Sequence, residues 1–347
     1  MEEIPVIRNL ILSLTGACNY ACTYCYAAFH PAAAMKKEVA LRAVDMAGQT
    51  GLPFILQFTG GEPLLAFDTI KAVTARVEEC RYPAILQLQT NASLMTDAMA
   101  KYLKKHKIAI GVSLDGRPAV NDALRKVKDG SSASQATIRG IRLLAAHQIA
   151  IGLTCVVTRT NVKDLAGIIQ MAYYLGNVRQ IGFDLLRCAG RGTGLEPADP
   201  AEVTKAMQEV YALAQALEKA TGVHIHFSQL DRMCKVSAGQ GCVFGHCYTM
   251  HGEGAYVASD GKIYACSSLV GEPQYLIGDV CNGGFDIEKA KKVGEQVAAA
   301  MQACRECKLF GVCGGGFFAV RWCQQGGNNT MTNTTAISRF RVWSVLT

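Results

Sequence analysis

Between Ile7 and Leu186, six short apolar runs alternate with longer amphipathic stretches, and this pattern leaves few folds open. The runs are residues 9–14, 54–58, 84–89, 108–113, 152–157 and 180–186, each of strand length. Helical periodicity fills 36–50, 67–80, 96–106, 134–147 and 161–175 between them. Strands joined through helices lie parallel with right-handed crossovers, so the chain is expected to be α/β with a parallel sheet. In such a sheet the chemistry gathers where strands end and loops begin.

The loop after the first run reads Cys18-Asn19-Tyr20-Ala21-Cys22-Thr23-Tyr24-Cys25. Thiolates at this spacing can hold three corners of a cuboidal 4Fe-4S cluster and leave the fourth iron open to a small molecule. Three structural thiols are the plain alternative.

This CxxxCxxC motif, with Tyr24 before the last cysteine, resembles the signature of the radical S-adenosylmethionine (SAM) superfamily. The resemblance implies a partial (β/α)6 TIM-like barrel rather than an open doubly wound sheet. It also implies that the open iron chelates SAM, which an electron from the cluster cleaves to a 5'-deoxyadenosyl radical. Thr59-Gly60-Gly61-Glu62-Pro63 resembles the family's GGEP motif, whose carboxylate or carbonyls accept bonds from the methionine ammonium; alone, it reads as a turn before a helix. Gln89-Thr90-Asn91 and Ser113-Leu114-Asp115-Gly116 offer polar groups at the mouth.

From Asn9 to Leu186 the chain is similar to the sulfatase-maturating and peptide-modifying branch. There, the positions matching Ser113 and Arg125 hold the ribose and carboxylate of SAM. Arg125, beside Lys126 and Lys128, reads equally as a solvated basic residue. Leu186 packs on the adenine or in the core, and Cys188 is a hydrogen-atom donor or a packed small residue.

After a Gly- and Arg-rich exit at 187–194, a helix is expected at 200–220 and a strand at 223–227, with His224 and His226 as ordinary polar residues on one face. Next come Cys242, Cys247 and Cys266, with a hairpin at 255–265 that brings Cys247 and Cys266 together. Cys304, Cys307 and Cys313 follow, with Cys323 beyond. The field resembles a SPASM domain, which implies one or two auxiliary 4Fe-4S clusters. Phe317 stands where that pattern has a cysteine, so the cluster of Cys242, Cys247 and Cys266 has an open iron or borrows Cys234 or Cys281. A zinc site at Cys304 and Cys307 is the alternative. The expected division is a barrel at 1–190, a linker helix and strand at 191–230, and an auxiliary domain at 231–347 whose tail after Gly326 is polar.

Fifteen cysteines without an export signal argue for metal or redox chemistry in the cytoplasm rather than for disulfides. No run reaches membrane-spanning length. The net charge of +7 is partly offset by clusters, since each fully ligated one subtracts about two units, and the scattered Lys and Arg argue against a nucleic-acid face. The resemblance implies an enzyme that modifies a ribosomally made precursor peptide, by thioether crosslinking in preference to epimerisation or carbon-carbon crosslinking. Sulfatase maturation is less favoured because Ser267 stands where those maturases carry an aspartate. A flavodoxin or ferredoxin reductant is expected. The first strand begins near Ile7, so leader recognition falls to the barrel rim, the auxiliary domain or a separate protein. A ferredoxin-like electron carrier and a metal-stabilised binding protein are the non-enzyme alternatives.

Overall fold

The computed structural model describes residues 4–228, 230–231 and 247–300. All six expected strands form: β1 (Asn9–Ser13), β2 (Phe54–Thr59), β3 (Ala84–Thr90), β4 (Ala109–Ser113), β5 (Ile151–Val157) and β6 (Val178–Leu185). They pair in sequence order and in parallel. Helices α1 (Lys37–Gly48), α2 (Phe67–Glu79), α3 (Asp97–Lys105), α5 (Ala133–Ala146) and α6 (Ala166–Leu175) lie where the periodicity put them. The seven-residue helix α4 (Pro118–Leu124) is an addition, too short to declare itself by periodicity.

Burial separates the partial barrel from a doubly wound sheet, which would be covered on both faces. On one face Leu10, Leu12, Phe54, Leu56, Phe58, Leu88, Val112 and Leu153 are sealed beneath the helices. Residues between them on the same strands, including Gln57, Gln87, Gln89, Gly111, Ser113, Gly152 and Thr154, keep partial contact with solvent. Neighbouring helices touch in a single layer, α1 on α2 and α5 on α6, with Phe67 and Tyr102 linking α2 to α3 edge to face. The half-open face is therefore the lumen, and the loops after each strand ring one of its ends.

Neither β1 nor β6 closes on the other. The expected long helix is α7 (Pro200–Thr221), capped by Asp199 at its start and ended by Gly222, whose φ of +71° suits glycine. It leads to β7 (His226–Phe227), which extends the sheet beyond β6. At the opposite edge, β8 (Gly254–Val257) pairs in parallel with β1, and β9 (Lys262–Tyr264), β10 (Leu276–Asp279) and β11 (Gly284–Phe285) continue antiparallel, giving one 11-stranded sheet. The β8–β9 pair is the expected hairpin. Helix α8 (Ile287–Ala300), not foreseen, packs Ala290, Val293 and Val297 into the same core. Among the described residues no helix is long and apolar enough to cross a membrane.

Candidate functional site

Cys18, Cys22 and Cys25 sit half-buried in the loop after β1, and other elements hold that loop on every side. The Gly60-Gly61-Glu62 backbone zips against it: Gly61 N donates to Thr15 O at 2.6 Å and Glu62 N to Ala17 O at 2.9 Å. A Cβ on Gly60 would lie 2.2 Å from Thr15 O, and one on Gly61 2.2 Å from Ala17 O. Only glycine permits that approach, and Gly60 also has φ +147°.

The Glu62 carboxylate is not at the mouth, as the motif led one to expect. It is fully buried, accepting from Leu64 N at 3.1 Å, Thr90 Oγ1 at 2.5 Å and Asn91 N at 2.8 Å. Burial raises its pKa, against the lowering effect of those bonds. Of the groups expected to meet an ammonium, the carboxylate is thus spent as a cap, together with the Thr90 hydroxyl. Asn91 is likewise buried, and braces the cysteine loop by donating to Asn19 Oδ1 at 3.0 Å; Asn19 donates to Ser93 Oγ at 2.8 Å.

Asp115 and Arg125 also differ from expectation. Both are buried, 1% and 7% exposed, and form an ion pair beneath the loop, with Arg125 Nη2 to Asp115 Oδ1 at 3.0 Å and Nε 2.9 Å from Oδ2. The Nε–H itself is not aimed at that oxygen. Tyr24 O–H and Val156 N donate to the same carboxylate. Arg125 is therefore neither solvated nor at the lumen surface. Tyr24, Leu124 and Leu186 pack as a small apolar cluster with Cys22 against it, so Leu186 is a core residue under the cysteine loop.

Gln89, Ser113 and Thr154 face the lumen as one polar row: Gln89 Nε2 donates to Ser113 Oγ at 3.0 Å and Thr154 Oγ1 to Gln89 Oε1 at 3.4 Å. Thr59, half-buried at the end of β2, accepts Leu14 N at 2.9 Å through its carbonyl.

A clasp that the sequence did not declare comes from the 187–194 stretch. Arg191 N donates to Cys25 O at 2.9 Å and its Nε to Cys22 O at 2.7 Å. Gly190, with φ +58°, passes so close that a Cβ would lie 2.4 Å from Cys25 O. Its Gly and Arg content was the available signal. Cys188, in the same stretch, donates to Leu195 O at 3.7 Å, and burial raises its pKa.

The donor chemistry fits a cluster. Burial pushes the Cys18 thiol up to about 12, and the charges of Glu62, Cys22 and Cys25 add to it. Cys22 is raised by burial, while Arg125 and Arg191 act to lower it. Three sulfurs that repel one another as thiolates, beside two guanidinium groups, suit a cationic centre shared among them. Among the described residues no three His, Cys, Asp or Glu side chains converge as around one ion; sulfurs on three corners of a cube stand wider apart.

Cys247 and Cys266 are the described part of the second field. Cys247 lies just before a 3-10 turn (Tyr248–His251) and Cys266 just after β9, and the two are near enough for Cys266 to add to the burial that raises Cys247. Thr249 Oγ1 ties them by donating to Ala265 O at 2.6 Å. Cys281 is exposed. Cys234, Cys242, Cys304, Cys307, Cys313, Phe317 and Cys323 lie outside the described residues.

The two fields meet through side chains. Tyr26 O–H, one residue past Cys25, donates to Ser267 Oγ at 3.4 Å, one residue past Cys266. His30 Nδ1 lies 3.1 Å from Tyr256 O–H, and its ring meets Tyr26 and Tyr256 edge-on. His224 and His226 are exposed polar residues on one face, as expected, pairing with Glu218 at 2.9 Å and Asp231 at 3.2 Å, with ring centroids 4.5 Å apart.

Comparison with known proteins agrees with this arrangement. Residues 12–172 match the model of the radical SAM superfamily. An uncharacterized protein of Methanocaldococcus jannaschii is 30% identical over 76% of this chain and 86% of its own. The serine-type anaerobic sulfatase-maturating enzyme of Klebsiella aerogenes is 28% identical over 90% of this chain and 80% of its own. Among solved structures, anSMEcpe with bound AdoMet and Cp18Cys peptide superposes with a TM-score of 0.80 at 21% identity, covering 98% of this chain and 96% of that one.

Proposed function

This chain belongs to the radical SAM superfamily, and on that premise we propose that it takes a hydrogen atom from a side chain or α-carbon of a ribosomally made precursor peptide and joins that carbon to a cysteine thiol, whose proton would leave to solvent and whose surplus electron would pass to an oxidised auxiliary cluster. Cys18, Cys22 and Cys25 would hold the 4Fe-4S cluster that the family implies, and the chemistry supplied there is one-electron cleavage of SAM. The chain's own residues do the rest. The Gly60-Gly61 backbone, the Asn19–Asn91 brace and Arg191 keep the cysteine loop in place. Gln89, Ser113 and Thr154 line the lumen as the polar surface on which a nucleoside would rest.

The observation that carries the reading is the short bridge between the two cysteine fields, from Tyr26 to Ser267. It supports a cleft with Cys247 and Cys266 on the side opposite the SAM loop, ready to ligate an auxiliary cluster beside a bound peptide. Sulfatase maturation is the second reading, favoured by the similarity to the Klebsiella aerogenes enzyme along most of both chains. Ser267 counts against it, because a serine hydroxyl is a far weaker base than a carboxylate.

The test is anaerobic reconstitution with iron and sulfide, then SAM and dithionite. Release of 5'-deoxyadenosine is expected, and none would remove the enzyme reading. Where a short cysteine-rich reading frame is found beside this one, coexpression with it should remove two hydrogens per crosslink from that peptide; an unchanged mass would shift the reading to epimerisation.

A further inference from the structure

Two of the arginines near the cysteine fields differ in one respect. Arg125 is matched by the buried carboxylate of Asp115. Arg187, half-buried at the mouth just past the end of β6, has no carboxylate partner among the described residues. Its guanidinium carbon lies 4.3 Å from the centroid of the Tyr26 ring. The Tyr26 side chain also bonds it, while Asp184 and Cys266 act on it only through space.

A guanidinium drawn out of bulk water is costly unless an anion answers it. A guanidinium has five N–H donors, so one bond to the Tyr26 side chain leaves others, and two parallel N–H donors match a carboxylate. The position decides which anion is in reach. Arg187 stands over Tyr26, whose hydroxyl bonds Ser267 next to Cys266, so it lies where the cysteine fields meet and where a bound peptide would pass.

We propose that Arg187 is a carboxylate-binding residue of this cleft, and that it selects peptides carrying an acidic residue beside the one that is modified. The proposal rests on the reading of the chain as a peptide-modifying enzyme. A carboxylate can also come from SAM, and the experiment separates the two sources.

The reconstituted, unreduced protein with SAM bound is titrated with two labelled cysteine-containing hexapeptides that differ only in glutamate against glutamine beside the cysteine. The glutamate peptide is expected to bind about tenfold more tightly, as one charge-assisted bidentate contact allows. Arg187→Gln should erase the preference, and Arg187→Lys should keep part of it as a point charge. Equal binding of the two peptides to the native protein overturns the proposal, as does a preference that survives Arg187→Gln. In a second arm, SAM is compared with its decarboxylated analogue. If Arg187→Gln weakens SAM alone, the carboxylate is the nucleoside's and the peptide assignment fails. Iron per chain and 5'-deoxyadenosine release are measured on the same samples. Native protein that shows the peptide preference but releases no 5'-deoxyadenosine would sink the catalytic reading and leave Arg187 standing.

Discussion

The loop of Cys18, Cys22 and Cys25 and the pair of Cys247 and Cys266 are both cysteine sites, yet they are built differently. The first is gripped from four elements: the Gly60-Gly61 backbone, the Asn91 brace, the buried Asp115–Arg125 pair and the Arg191 clasp. The second sits on the β8–β9 hairpin, between β1 and β10, with Thr249 tying it locally and helix α8 packed against the turn after Cys247. A loop that leaves a coordination position open must resist rearrangement that would fill it, and rigidity has to come from outside the loop.

The largest test of this difference is to remove one sulfur from each site. Cys22→Ala should lower SAM cleavage by at least about a thousandfold, because transition-state stabilisation through the loop is lost outright. Cys266→Ala should leave uncoupled SAM cleavage within about tenfold of native while abolishing peptide modification. Equal losses of 5'-deoxyadenosine in both variants would show the two sites to be one unit.

Next in size is the support beneath the first loop. Asp115→Asn leaves Arg125 buried without its counter-charge, and breaking such a pair costs about 3–5 kcal/mol, read as a fall in urea midpoint. Gly61→Ala forces a Cβ against Ala17 O and should cost about 1–3 kcal/mol, with iron per chain falling before global stability does. A Gly271→Ala control, where a Cβ meets no atom within 4 Å, should cost less, although Gly271 also has φ +91°.

Much of this frame was legible in the sequence. The six strands, five of the helices between them and the β8–β9 hairpin follow from apolar spacing, and the cysteine loop from its motif. What failed was the direction in which polar side chains face. Glu62, Thr90, Asp115 and Arg125 each sit at a strand end or in a loop where a ligand site is expected, but spacing does not say whether a carboxylate meets a ligand or a backbone N–H. The Arg191 clasp was hidden because its partners, Cys22 and Cys25, lie more than 160 residues away in the chain. No local rule reaches that far.

The smallest effect belongs to His30, where the two sites touch. Burial lowers its pKa to about 4 from an ordinary 6.5, so the ring stays neutral in the native protein while the unfolded chain takes up a proton below 6.5. Between those values the unfolded state binds more protons, and stability therefore rises as pH climbs from 4 to 6.5 and levels off above it. The ring is still touched by water, so the contribution is about 1–2 kcal/mol rather than the full value of the shift. His30→Asn keeps a polar partner for Tyr256 but does not titrate. Urea melts at pH 5 and pH 7.5 should show the native chain losing more stability on acidification than the variant. Identical losses would mean that His30 is protonated in the folded state, and that the seam between the two cysteine sites is open to water.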